Sequence, residues 1–155
     1  MKLKLLAVGT RMPDWVNSGF KEYCKRMPSE LKVELIEVPI NVRGRNPSNQ
    51  SIENQGRALL KNIDKQDFAV ALDVVGKSLS TEALASQLTN WQMNGQNLCL
   101  MIGGPDGLSA DCLTRANMKW SLSDLTLPHP MVRILIMEQL YRAWTINSNH
   151  PYHRS

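Results

Sequence analysis

The sequence predicts an α/β domain with a mostly parallel sheet flanked by helices. Five short runs, at residues 3–8, 33–38, 68–72, 98–102 and 119–122, have strand length and end at turn residues. Segments with helical spacing separate them, an alternation that belongs to strand–helix–strand units. Two late loops, each set between an apolar run and a helix, mark the expected ligand site. Open α/β sheets bind ligands beyond the carboxyl ends of their strands.

Along the chain, Leu3, Leu5, Leu6, Ala7 and Val8 form the first strand, which ends at Gly9. That run is too short for the apolar core of a signal peptide, and no cleavage site follows. No stretch approaches the ~20 apolar residues of a membrane span. Trp15, Val16, Gly19, Phe20, Tyr23 and Cys24 recur at helical spacing and give the first helix a buried stripe. Residues 41–50, with two arginines among Gly, Pro and Asn, lack periodicity and read as a mobile surface loop. Ile52, Leu59, Leu60 and Ile63 mark a second helix.

A third helix starts at Ser80, where Leu79 and Leu84 are placed as a hydrophobic staple, and ends at Gly95. Leu108 and Leu113 repeat the staple around Ser109, the start of a fourth. The last helix, residues 131–145, is apolar nearly all round, with Glu138, Gln139 and Arg142 on one side. Such a helix is covered on more than one side, and a second subunit is the simplest candidate for the side the sheet leaves open. Arg133 projects among Ile136, Met137, Leu140 and Trp144 and needs a partner from elsewhere in the fold.

The chain has 155 residues, enough for one domain and too few for two ordinary ones. Its 43% hydrophobic content is globular, and its net charge of +4 is compatible with an anionic partner. Cys24, Cys99 and Cys112 are odd in number and form no C-x-x-C, so reduced thiols and a cytoplasmic setting are expected.

Gly76-Lys77-Ser78 after an apolar strand resembles half a phosphate-binding loop. The full pattern needs Gly at the position of Ala71 and small residues in place of Val74 and Val75, so an ordinary loop is the reading. Gly103-Gly104-Pro105-Asp106-Gly107 lacks dinucleotide spacing, and its proline removes an amide donor. It reads equally as a tight turn or as a glycine platform against which a flat ring could lie. Pro128-His129-Pro130 holds a histidine between two stiff residues, although loop histidines are commonly solvated and inert. The tail, His150-Pro151-Tyr152-His153-Arg154, carries groups able to stack on a base, bind phosphate or handle a proton. Composition alone favours its fraying.

Leu100-Met101-Ile102-Gly103-Gly104-Pro105-Asp106-Gly107, Ser121-Leu122-Ser123-Asp124-Leu125-Thr126-Leu127-Pro128-His129-Pro130, Leu140-Tyr141-Arg142-Ala143-Trp144 and the tail together resemble the bacterial large-subunit ribosomal RNA methyltransferase H family of the SPOUT superfamily. The resemblance runs along the whole chain, including Ala7-Val8-Gly9-Thr10 and Asp73 with Gly76-Lys77. It implies a deep C-terminal trefoil knot, a homodimer, S-adenosyl-L-methionine as cofactor and no metal. The implied reaction methylates N3 of a pseudouridine in 23S ribosomal RNA within the assembled ribosome. Leu72, Gly103, Leu122, Ser123, Asp124, Leu125, Thr126 and Leu127 correspond to the family's cofactor pocket.

For such a reaction the candidate proton handlers are His129, Tyr152 and His153. Arg142, Arg154 and Arg133 are candidates for phosphate positioning or charge compensation, with Glu138 orienting Arg142 at i,i+4. The tail of one subunit is expected to complete the pocket of the other. Basic residues form only modest groups, Arg43, Arg45 and Arg57, and Lys21, Lys25 and Arg26, which favours a pre-shaped ribosomal target over free RNA. The rivals are a non-catalytic ribosome-binding dimer, a nucleotide-binding protein using Lys77, and a methyltransferase acting at another RNA position.

Overall fold

Strand β1 (Lys2–Val8) lies second in a five-stranded sheet of order β2-β1-β4-β3-β5, in which every pairing is parallel. The computed structural model describes residues 1–40 and 49–154, so most of the loop expected at 41–50 lies outside the described residues. The other strands are β2 (Lys32–Val38), β3 (Phe68–Ser78), β4 (Leu98–Ile102) and β5 (Met118–Ser121). Between them run α1 (Asp14–Arg26), α2 (Asn49–Leu60), α3 (Thr81–Met93) and α4 (Ala110–Arg115); α5 (His129–Asn147) and a 3-10 turn at Pro151–Arg154 follow β5.

Strand alternation distributes two cores. Leu3, Leu5, Ala7, Leu98 and Leu100 face Phe20 of α1, Leu84 and Leu88 of α3, and Ile136 and Leu140 of α5. Leu6, Val8, Cys99 and Met101 face Leu59 of α2 and Cys112 of α4 on the other side. Strand β4 is buried along its whole length, as expected for an uninterrupted apolar run covered on both faces.

The helix starts follow their caps. Ser80 Oγ accepts the Ala83 amide at 3.1 Å, and Ser109 Oγ accepts the Cys112 amide at 3.2 Å. Helix α3 stops as Gln96 N donates to Trp91 O beside Gly95, whose φ is +65°. The last helix starts two residues earlier than expected, so His129 lies in its first turn. Pro128 caps it and Pro130 occupies an early position where no intrahelical amide is needed.

The structure corrects four readings. Strand β3 does not end at Leu72: Leu72 and Lys77 both pair with Trp120, and Ser78 pairs with Ser121. Gly76-Lys77-Ser78 is therefore strand, not a loop. A Cβ on Gly76 would come within 2.7 Å of the Lys119 and Trp120 backbones, so only glycine fits that return. The open side of α5 is filled within the chain by α1 and α3, so its apolar character does not by itself require a second subunit. Arg133 is 1% exposed and ion-paired, which removes it as a phosphate ligand. Finally, the tail does not fray: Pro151–Arg154 folds onto α5.

Candidate active site

Neighbouring strands β3 and β4 send their connections to opposite faces, β3 through α3 and β4 through α4. That arrangement opens a crevice at their carboxyl ends. A cavity of about 940 Å³ occupies it, bounded by the middle of β3 just past its pairing with β4, the turn after β4, the segment after β5 and the first turn of α5.

Seven of the eight expected cofactor residues, Leu72, Gly103, Leu122, Ser123, Leu125, Thr126 and Leu127, line this cavity. Asp124 is exposed and does not line it. Ser123 Oγ accepts the Leu125 amide at 2.9 Å, and Ser121 Oγ donates to Ser123 O at 3.1 Å, which shapes the 122–127 segment from within. After β4, Gly107 N donates to Gly104 O at 3.0 Å, and a Cβ on Gly103 would meet Gly107 C at 2.7 Å. The glycine at 103 is thus demanded by turn closure, and the closed turn presents main chain to the cavity. Trp120 and Val132 also line it; the chain pattern gave no sign of them because both read as ordinary core positions.

His129 is the expected catalytic residue that reaches this cavity. Its Nε2 is buried without a hydrogen-bond partner among the described residues. Burial, and then the neighbouring Arg133 guanidinium, lower its pKa below the ordinary 6.5, so the imidazole is neutral at physiological pH. Arg133 Nη1 donates to Glu37 Oε2 at 2.7 Å and Nη2 to the Gly9 carbonyl at 2.8 Å. Those are the partners its position in an apolar helix called for. Glu37, on β2, carried no signal of its own in the sequence.

The other candidates gather further along α5. Glu138 Oε1 accepts from Arg142 Nε at 2.8 Å and from the Tyr152 hydroxyl at 3.2 Å, and Arg142 Cζ stands 5.0 Å from the Tyr152 ring centre. Tyr152 also packs edge-on against Tyr141, with centroids 4.7 Å apart. Burial first, then Tyr23 and Glu138, push the Tyr152 phenol up to about 12. A phenol in that state donates hydrogen bonds and does not serve as a base near neutrality. His153 Nδ1 is buried without a hydrogen-bond partner among the described residues, and Arg154 is exposed. Glu138 lies nine positions from His129, about 13 Å along the helix axis. Within one chain, therefore, His129 and the tail are not brought together.

The family described as "Predicted SPOUT methyltransferase" matches residues 1–153. A protein of Saccharophagus degradans named ribosomal RNA large subunit methyltransferase H is 56% identical over 155 residues, covering 99% of this chain and 100% of its own. One of the same name from Hahella chejuensis is 52% identical, with 99% of each chain covered. The chain belongs to the ribosomal RNA large subunit methyltransferase H family of SPOUT methyltransferases. The fold agrees. A solved structure described as "a probable methylase family protein from Haemophilus influenzae Rd KW20" superposes with a TM-score of 0.59 at 13% identity, covering 97% of this chain and 69% of that one.

As a SPOUT methyltransferase the chain is an enzyme of methyl transfer, and the cavity is the candidate place for that chemistry. Apolar side chains flank it, and turn backbone supplies donors and acceptors. No helix among the described residues is long and apolar enough to cross a membrane.

Proposed function

We propose that this chain, acting as a single domain over residues 1–155, methylates N3 of a pseudouridine in 23S ribosomal RNA within the assembled ribosome. S-adenosyl-L-methionine is the donor. The reading includes a cytoplasmic homodimer with a C-terminal trefoil knot. The cavity beside the middle of β3 and beyond the carboxyl ends of β4 and β5 carries it, with support from the names of the close relatives.

The cavity suits the donor. Leu72, Leu122 and Leu127 offer apolar walls to an adenine, and the turn at Gly103 offers backbone polar groups to its edge. When bound, the donor supplies a methyl group already made electrophilic by its sulfonium. What the chain must do is align the acceptor and manage one proton. The N3 position carries that proton at neutral pH, so attack needs a base. His129, whose neutral imidazole belongs to a residue lining the cavity, is the base we assign to accept it. Arg154 and Arg142 position phosphate or offset charge on the base, with Glu138 fixing the Arg142 guanidinium. Tyr152 and His153 complete the pocket from the other subunit's tail.

Calorimetry with S-adenosyl-L-methionine and methyl-transfer assays on assembled ribosomes and naked ribosomal RNA test this reading. Binding of the donor and transfer to ribosomes well above transfer to naked RNA are expected. Absence of donor binding would instead support the non-catalytic ribosome-binding rival. Mass spectrometry of ribosomal RNA from cells lacking the gene should show loss of one methylpseudouridine; loss of another nucleoside would reassign the acceptor.

A further inference from the structure

The charged side chains that the described residues bring to the cavity are of one sign. Among the described residues, Asp73 and Asp106 line it, and no lysine or arginine does. Asp73 follows Leu72 on β3, two residues beyond the last β3–β4 pair at Ala71 and Met101, and lines the cavity together with Gly103. Its Oδ1 accepts the Val75 amide at 3.2 Å, which fixes the carboxylate on β3. Asp73 is half-buried, whereas Asp106 is exposed at the rim. Among the described residues, neither is ion-paired. A carboxylate partly withdrawn from water and lacking a counter-ion is stabilised by a positively charged ligand.

Resting on the function proposed above, we infer that Asp73 is a specificity-determining residue that favours the sulfonium donor over the neutral thioether left after transfer. In the reaction the methyl carbon leaves sulfur for N3 and the carbon–sulfur electron pair stays on sulfur. The N3 proton departs to the base. Sulfur thereby loses its positive charge. Apolar walls and main-chain groups meet donor and product alike, so charge is what separates them. A carboxylate at this point of β3 therefore retains the reactive form and loosens its hold on the spent one.

Calorimetry on the full chain reads this as the ratio of Kd for S-adenosylhomocysteine to Kd for S-adenosyl-L-methionine. Asp73→Asn retains an oxygen for the Val75 amide while removing the charge. It should lower that ratio about tenfold, with affinity for the thioether held within about twofold. Asp73→Glu keeps the charge and should keep most of the preference. Asp106→Asn, at the exposed rim, should lower the ratio less than about threefold. If Asp73→Asn weakens both ligands equally, or neither, the inference is overturned while the proposed function stands. If the unaltered protein binds neither ligand, the proposed function falls and this inference with it.

Discussion

His129 and Arg133 sit one turn apart on α5, and each accounts for the state of the other. The Arg133 guanidinium cannot give up its charge, so its burial is tolerable only through Glu37 and the Gly9 carbonyl. That fixed positive charge, added to desolvation, disfavours a second positive charge on His129. A histidine whose pKa is lower in the folded than in the unfolded chain contributes stability that is complete above about 6.5. Below that value the contribution declines, because the unfolded chain then binds the extra proton. The unfolding midpoint of the unaltered protein should therefore fall more between about pH 7.5 and about pH 5.5 than that of His129→Asn. Thermal scans at the two pH values check this. Equal falls would mean that His129 titrates alike in both states and that the Arg133 neighbourhood does nothing to it.

At the scale of elements, the parts that were legible are those governed by neighbours in sequence. Strand β4 was readable to its ends because five apolar residues are followed at once by Gly103-Gly104-Pro105. The starts of α3 and α4 were readable because Ser80 and Ser109 cap them locally. What stayed hidden depends on distant partners. The second half of β3 exists because β5 offers its backbone at Trp120 and Ser121, and Gly76 looks like a loop glycine until Lys119 lies against it. Likewise, nothing in Pro151-Tyr152-His153-Arg154 shows that α1 and α5 form a seat for it. Arg26 of α1 stands 5.8 Å from the Tyr152 ring, more than 120 residues away in the chain. Seven of the eight positions expected for the cofactor line the cavity because β3, β4 and β5 bring them there, whereas Asp124 is exposed and does not line it. The tail therefore behaves as a separable element. Tyr152→Phe, which removes the bond to Glu138, should cost about 0.5–1.5 kcal/mol in chemical denaturation. Truncation before His150 should leave donor affinity within about twofold and abolish methyl transfer. Loss of donor binding on truncation would show that the tail supports the pocket of its own chain.

At the scale of the whole molecule, the separation of cavity and tail decides what assembly the reaction needs. His129 opens α5 at the cavity, while the tail packs on the distal half of the same helix. If both act on one nucleotide, the tail must come from a second copy or leave its seat. The exposed apolar side chains argue for the second copy. Trp15 and Met131 lie at or near the starts of α1 and α5, and Val74 and Leu125 line the cavity while being largely exposed themselves. In the proposed homodimer, a two-fold interface there would be self-complementary and give two identical composite sites. Mixing tests this directly. His129→Asn disables every cavity in its own dimers, and Arg154→Ala disables every tail. Unfolded and refolded together in equal amounts, half the dimers are mixed, and each holds one intact cavity beside one intact tail. Activity should then return to roughly a quarter of that of the unaltered protein. If each site were instead built from a single chain, no mixture of the two variants could exceed the activity of its components.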